Sequence, residues 1–227
     1  MRNKIRMIAY DAILIAIIIL FTFVDYLGYI NLGVISFTTI HIIVLIGASL
    51  FGYKRGMIYG FIFGLSSLLK ALSYPGTANY FFINPFVSIL PRVLFGFLAG
   101  LTFDLFKKYF SQKTFNILVA PASGVLTFIH TLLTMLCLYL FGILDPFKIS
   151  AALGLTPLIE NGEIMTTLIS FISIGSVCEI IAAALLTGGI YLIISKNFKI
   201  GLVSEGNFKR KNIETNKNVE KPNSMDN

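Results

Sequence analysis

Long apolar runs, each close to the length needed to cross a bilayer, recur along this 227-residue chain. A helix needs about 20 consecutive apolar residues to span the hydrocarbon core. Most charges lie between or at the ends of these runs, and charged residues make up only 13% of the chain, against about a quarter in a soluble domain. The pattern excludes an ordinary soluble domain and predicts a polytopic membrane protein.

Six of these runs are assigned as transmembrane helices. They cover residues 7–27, 38–51, 56–72, 85–106, 115–141 and 164–194. The second and third runs are short, which indicates helices that are tilted or that border a cavity. We therefore predict an all-α integral membrane domain with six transmembrane helices in residues 1–200. The polar segment 201–227 is predicted to be a disordered cytoplasmic tail.

Positive charges are distributed unevenly across the predicted membrane. All but three of the 18 Lys and Arg residues fall on the side that holds both termini, the exceptions being Lys70, Arg92 and Lys148. Cytoplasmic loops carry an excess of Lys and Arg, so both termini are predicted to lie in the cytoplasm and the protein in the cell (plasma) membrane. The net charge of +7 follows this topology, and no nucleic-acid-binding motif accompanies it.

The fourth run carries an arginine, Arg92, inside an otherwise apolar sequence. Asn84 is suited to a helix N-cap and Pro85 to the first helical position, which places Arg92 roughly 10 Å below the helix start. Because Pro91 cannot donate to the carbonyl of Val87, we expect that carbonyl to lack its helical partner and the helix to kink. A charge at this depth marks either a functional site or a side chain that snorkels to the interface.

As a functional residue, Arg92 would bind an anionic or polar ligand, because a guanidinium holds a carboxylate through two hydrogen bonds. Ser88 lies one turn before it on the same helical face. The polar connection 73–84, which includes Asn79 and Tyr80, is predicted to be external.

Polar residues in three other runs are candidates for the same cavity. Thr127 and His130 lie on a polar face of the fifth run, which can join neighbouring helices by hydrogen bonds, line the cavity, or do both. Glu179 lies within the sixth run and needs a proton, water or a partner, for which Arg92 and His130 are the candidates. His41 lies near the outer end of the second run. The predicted ligand-binding residues are Arg92, Asn84, Ser88, His130, Thr127, Glu179, His41, Asn79 and Tyr80.

Small residues form regular faces on two of the runs. Glycine recurs at every fourth residue from Gly56 to Gly64, which predicts close packing against another helix. Ala9, Ala12 and Ala16 form a second face, in the first run, that either packs internally or docks against another membrane protein.

No catalytic or metal-binding motif accompanies these features: the chain has no Walker A sequence, no H-E-x-x-H, no G-x-S-x-G and no zinc-binding cysteine set. Cys137 and Cys178 fall in apolar runs and are predicted to be small buried residues. We predict no cofactor and no enzyme activity. Two alternatives stay open, an integral-membrane enzyme that uses His130 and Glu179 as acid and base, and a structural membrane protein.

The chain resembles the substrate-binding (S) components of energy-coupling factor (ECF) vitamin transporters over roughly residues 5–197. The stretches that carry the resemblance are T-I-H-I-I-V-L-I-G-A-S-L-F-G from Thr39, G-F-I-F-G-L-S-S-L from Gly60 and N-P-F-V-S-I-L-P-R-V-L-F-G from Asn84. The third stretch most resembles the pantothenate-like branch of the family. The resemblance therefore implies a six-helix subunit that binds a small-molecule vitamin at the outer face, with pantothenate as the expected substrate.

The same resemblance implies partners within the lipid bilayer and beyond it. Family members dock on a transmembrane coupling (T) subunit through an A-x-x-x-A motif, which Ala12 and Ala16 match. Two cytoplasmic ATPases hydrolyse ATP, and the S component reorients in the membrane to release its cargo. ATP hydrolysis is thus expected of the partners and not of this chain.

Overall fold

The computed structural model describes residues 2–32, 35–73, 80–143 and 174–198. This part of the chain is helical apart from one hairpin. The helices are α1 (Arg2–Phe23), α2 (Asp25–Gly28), α3 (Ile40–Phe51), α4 (Tyr53–Ser73), α5 (Pro85–Ser88), α6 (Leu90–Tyr109), α7 (Gln112–Cys137) and α8 (Ile174–Phe198). A 3₁₀ turn, Tyr80–Ile83, precedes α5, and a π-helical turn, Leu138–Ile143, extends α7. The strands are β1 (Tyr29–Leu32) and β2 (Ile35–Thr38).

Five segments within the described ranges are long and apolar enough to cross a membrane. They are Ile5–Phe23, Tyr53–Ser73, Pro85–Tyr109, Gln112–Phe141 and Ser176–Lys196. The shorter apolar helix α3 has 12 residues, and at the helical rise it is roughly 18 Å long. The helical membrane class is confirmed. The predicted start of the last span and the tail 201–227 lie outside the described residues.

The third predicted run is longer than the sequence indicated. It is the 21-residue helix α4, because the basic residues before Gly56 form its first turn instead of a loop. Gly52 separates α3 from α4 and has a left-handed φ of 81°. The carboxylate of Asp104 then accepts a hydrogen bond from the backbone N–H of Tyr53 (2.9 Å), which satisfies a free donor at the start of α4.

The hairpin lies between α2 and α3, in the segment that joins the first and second predicted runs. Its strands pair antiparallel, with Tyr29 opposite Thr38 and Leu32 opposite Ile35. The chain therefore returns to its starting point before α3 begins. This places Thr38, the last residue of β2, directly beside the first turn of the buried helix.

Helix α3 lies at the centre of the bundle, where residues 40–50 are all buried. It packs against α1, α4, α6 and α8. On one side of it, α4 and α6 meet at a seam of glycines. A Cβ added to Gly60 would overlap the carbonyl oxygen of Arg92, and one added to Gly96 would overlap that of Gly56. The predicted packing role of the α4 glycines is confirmed, because the two backbones are in direct contact.

Candidate functional site

The helix that carries Arg92 is broken just before it. Asn84 caps α5, its side-chain Oδ1 accepting from the N–H of Phe86 (3.0 Å), and Pro85 takes the first helical position as predicted. The helix is interrupted at Ile89, and α6 begins at Leu90. The break follows from Pro91, which cannot continue the hydrogen bonding of α5.

Arg92 uses the carbonyl that Pro91 leaves without a helical donor. Its Nη1 donates to the Val87 oxygen at 2.6 Å. The guanidinium carbon lies 4.8 Å from the ring centroid of Phe82 and 5.6 Å from that of Phe63. Only 6% of the residue is exposed, and its Nε has no hydrogen-bond partner in the described part of the chain. The guanidinium is therefore held in place by a backbone oxygen and two aromatic faces.

Two imidazoles lie on the neighbouring helices. The ring of His130 on α7 is 4.5 Å from that of Phe95 and 6.1 Å from that of His41 on α3, centroid to centroid. His130 also lies 6.1 Å from the Phe63 ring that flanks Arg92. Within the described ranges, His130 Nδ1 and His41 Nε2 are buried without a hydrogen-bond partner. The three helices thus bring unsatisfied polar atoms of one arginine and two histidines around the same aromatic residues.

The hydroxyl groups on α7 have a different role from the histidine. Thr127 donates to the Ser123 carbonyl (2.9 Å), and Thr134 donates to the His130 carbonyl (3.0 Å). Ser123 likewise donates within its own helix, to Val119 at 2.8 Å. Within the described ranges these hydroxyls donate to carbonyls of α7 itself, which does not support the interpretation that they join neighbouring helices.

Glu179 contacts the end of the hairpin. Its carboxyl oxygen accepts hydrogen bonds from both the backbone N–H and the hydroxyl of Thr38, the latter at 3.1 Å. The Thr38 hydroxyl also lies 3.4 Å from His41 Nδ1. In the described ranges the Glu179 carboxyl forms no hydrogen bond or ion pair with Arg92 or His130, the partners that the sequence suggested. Instead the carboxyl group links α8 to β2 and to the start of α3.

The sequence analysis did not place Lys70 at the site. This residue of α4 is only 7% exposed, and its ammonium lies 4.1 Å from the ring centroid of Tyr29 on β1. The Tyr29 hydroxyl is 3.5 Å from Ser67 Oγ on the same helix. Lys70 lies two turns after Phe63 along α4. This spacing could have indicated that the two residues share one face of the helix. A second buried cation therefore lies against the hairpin.

The other predicted site residues fall into three groups. Asn84 and Ser88 have their polar atoms engaged by backbone groups, Asn84 Nδ2 with the Phe141 carbonyl (2.9 Å) and Ser88 Oγ with the Phe82 carbonyl (2.7 Å). Tyr80 begins the 3₁₀ turn. Asn79 lies outside the described residues.

The alanine face and the cysteines can also be placed. Ala9, Ala12 and Ala16 are exposed along α1. Cys137 is buried as predicted, whereas Cys178 is exposed, because it lies on the outward side of α8. In the part of the chain that the structure describes, no group of three or more His, Cys, Asp or Glu residues is arranged to hold a metal ion.

Comparison with known proteins identifies the kind of subunit to which this cluster belongs. The family model described as ECF transporter, substrate-specific component, matches residues 6–195. The chain belongs to this family. A curated relative, the Pantothenate transporter PanT of Leuconostoc mesenteroides subsp. mesenteroides, is 30% identical over 201 residues, which cover 83% of this chain and 91% of that protein.

Family membership and the apolar helices together make this protein a multi-pass membrane subunit of a transport system. The resemblance to S components is confirmed. A substrate-specific component binds its cargo and does not transform it, so the interpretation of His130 and Glu179 as an acid and base in an enzyme is not supported. The cluster around Arg92 is the candidate for the binding site.

Proposed function

We propose that this protein is the pantothenate-binding subunit of an ECF importer. The observation that carries the proposal is the buried guanidinium of Arg92, whose charge is not paired with a carboxylate among the described residues. It occurs in a chain that is similar over most of its length to a pantothenate transporter. Pantothenate carries a carboxylate. A buried guanidinium with an N–H group free to donate is suited to bind a carboxylate.

In the proposed complex the carboxylate of pantothenate binds the side of Arg92 that bears Nε. The amide and hydroxyl groups of the ligand hydrogen bond to the free nitrogen atoms of His130 and His41, which removes the cost of leaving those atoms unsatisfied. The geminal methyl groups pack against the phenylalanine rings near the histidines.

The remaining predicted residues shape the site around these contacts. Asn84 and Ser88 hold the turns that position Arg92, and Thr127 forms part of the wall on α7. Asn79 and Tyr80 belong to the connection that closes over the ligand. Glu179 holds the hairpin through Thr38 and so positions His41.

The proposed transport cycle requires partners. With both termini in the cytoplasm, as the distribution of Lys and Arg favours, the cluster opens toward the outer face. The exposed alanine face of α1 docks on the transmembrane T subunit, because small residues allow two helices to approach closely. Two cytoplasmic ATPases energise the reorientation that releases the vitamin inside the cell.

Isothermal titration calorimetry on the purified protein tests the proposal. Pantothenate should bind, and panthenol, the matched analogue in which an alcohol replaces the carboxylate, should bind more weakly by roughly 2–5 kcal/mol. Biotin, thiamine and riboflavin serve as unrelated vitamins. If one of these binds and pantothenate does not, the assignment of pantothenate as the substrate is wrong. If pantothenate and panthenol bind equally well, only the proposed role of Arg92 is wrong.

A further inference from the structure

His41 is connected to Glu179 by a chain of hydrogen bonds that runs through the end of the hairpin. The Thr38 hydroxyl lies 3.1 Å from Glu179 Oε1 and 3.4 Å from His41 Nδ1. We propose that this chain fixes the proton of the His41 ring on Nδ1, so that Nε2 accepts a hydrogen bond from an O–H or N–H group of the ligand. The ligand contact rests on the proposed function, to which it adds the polarity of one hydrogen bond.

The Thr38 hydroxyl has one proton, and Glu179 receives it. The backbone N–H of Thr38 donates to the same Oε1 atom of Glu179. This oxygen therefore acts as an acceptor, whether or not the other carboxyl oxygen carries a proton. Because the hydroxyl proton points to Oε1, the Thr38 oxygen can only accept a hydrogen bond from His41 Nδ1. Nδ1 must therefore carry the proton of the ring.

The second nitrogen of the His41 ring is then an acceptor, because a neutral imidazole has one donor and one acceptor nitrogen. The ring is expected to be neutral, since His41 is fully buried and no carboxylate of the described ranges forms an ion pair with it. A charged ring would lack compensation there. Nε2 has no hydrogen-bond partner in the same part of the chain. A donor group of the ligand would supply that partner.

Arg92 and His41 therefore select opposite groups of the ligand. The guanidinium of Arg92 has only donors and requires an acceptor such as a carboxylate. His41 Nε2 requires a donor, so a carboxylate that lacks a hydroxyl or an amide N–H would leave this nitrogen buried and unsatisfied. The chemical class that satisfies both residues is a carboxylate that also carries a hydroxyl or secondary amide group. Pantothenate belongs to this class.

The ring of His130 provides an internal comparison. It lies 6.1 Å from the ring of His41, and both rings contact that of Phe95. Its Nδ1, however, has no hydrogen-bond partner among the described residues, so no comparable chain fixes its proton within those ranges. Substitutions at Thr38 should therefore change the protonation of the His41 ring and not that of the His130 ring.

¹⁵N NMR on protein labelled at histidine tests the proposal without a ligand. The chain contains two histidines, so protein purified without a histidine tag gives two ring systems, which His130→Gln assigns. His41 should carry a proton on Nδ1 and none on Nε2. Thr38→Val removes the hydroxyl and should populate the Nε2–H tautomer. Thr38→Ser keeps a hydroxyl and should retain the Nδ1–H tautomer.

Thr39→Val is the matched control for the loss of a hydroxyl beside the hairpin. The Thr39 hydroxyl donates to the Leu27 carbonyl, so its removal should leave the His41 ring unchanged. A wild-type His41 that is protonated at Nε2, or at both nitrogen atoms, overturns the proposal, and so does an unchanged tautomer in Thr38→Val. The wild-type spectrum alone gives the tautomer if Thr38→Val does not fold.

Calorimetry tests the consequence for the ligand. Methyl ethers of each pantothenate hydroxyl, and the N-methyl amide, remove one donor at a time. Added bulk affects wild type and Thr38→Val alike, so the difference between the two proteins reports the donor. One analogue should lose about tenfold more affinity, relative to pantothenate, in wild type than in Thr38→Val, the effect of an unsatisfied buried acceptor.

The two measurements separate this inference from the proposed function. If every analogue loses the same affinity in wild type and in Thr38→Val, the proposed contact of His41 with a ligand donor is wrong. If His41 has the expected tautomer and pantothenate does not bind, the proposed function fails and the assignment of the His41 proton stands.

Discussion

Two arginines of this protein are stabilised in different ways. Arg55, near the end of the bundle where basic residues collect, forms an ion pair with Asp11 at 3.4 Å, and its side chain is 28% exposed. Tyr59 donates to the same carboxylate. Arg92, inside the bundle, contacts one carbonyl and two aromatic rings, and no salt bridge to it forms within the described ranges.

The difference shows where binding energy is available. A partly exposed ion pair contributes about 0–1 kcal/mol, and its charge is already neutralised. A buried charge without a counter-charge is costly, and it persists where a ligand or a functional state supplies the missing partner. The contrast between the two arginines therefore predicts that substitutions at Arg92 affect the ligand and that substitutions at Arg55 do not.

Replacement of the two arginines gives the largest expected difference. Arg92→Ala should weaken pantothenate binding by roughly 2–5 kcal/mol, because the ligand carboxylate would be buried without a cation. Arg55→Ala should leave the dissociation constant unchanged. Calorimetry measures both, with thermal unfolding as a control for folding. If the two variants bind equally well, Arg92 is a structural residue.

The glycine seam offers a second test, because it fixes the backbone of Arg92. Gly60→Val would place a side chain against the Arg92 carbonyl and should cost about 1–3 kcal/mol of stability through overpacking. Gly189→Val is the matched control, since a Cβ there meets no atom within 4 Å. Thermal unfolding should separate the two variants, and similar melting temperatures would show that the seam is not tightly packed.

Loss of the link between Glu179 and Thr38 should have a smaller effect than the replacement of Arg92. Glu179→Ala leaves the N–H of Thr38 without an acceptor, at a cost of about 1–3 kcal/mol. Glu179→Gln retains a carbonyl oxygen and should lose less. Thermal unfolding with and without pantothenate measures both variants. A glutamine variant as unstable as the alanine variant would indicate that the charge of Glu179 matters more than the hydrogen bonds.

Substitutions in the alanine face are expected to have no effect on the affinity for the ligand. Leucine at both Ala12 and Ala16 should leave pantothenate affinity unchanged, because these residues lie on the outside of α1. It should prevent co-purification with the T subunit, whereas Val125→Leu, at an exposed position of α7, should not. A complex that survives the double replacement would disprove the docking role.

Local chemistry predicted the helix cap, the helix break and the free Val87 carbonyl beside Arg92 from the sequence. A cap, a proline and a missing donor occur within nine residues, and each acts on its near neighbours. The partner of Glu179 was not predictable in this way, since Thr38 is 141 residues distant along the chain. In the sequence, Lys70 is one of several Lys and Arg residues near the ends of apolar runs. Its contact with Tyr29 depends on the hairpin, which the sequence did not predict. The family resemblance supplied the class of function, which the spacing of residues alone left open.

The glycine seam has a mechanical consequence. Because the backbones of α4 and α6 touch, neither helix can slide or rotate on the other without a collision of main-chain atoms. Lys70 on one helix and Arg92 on the other therefore move together. A change in access to the ligand must come from elements outside this pair, and the pair itself can change its position in the membrane only as a rigid body.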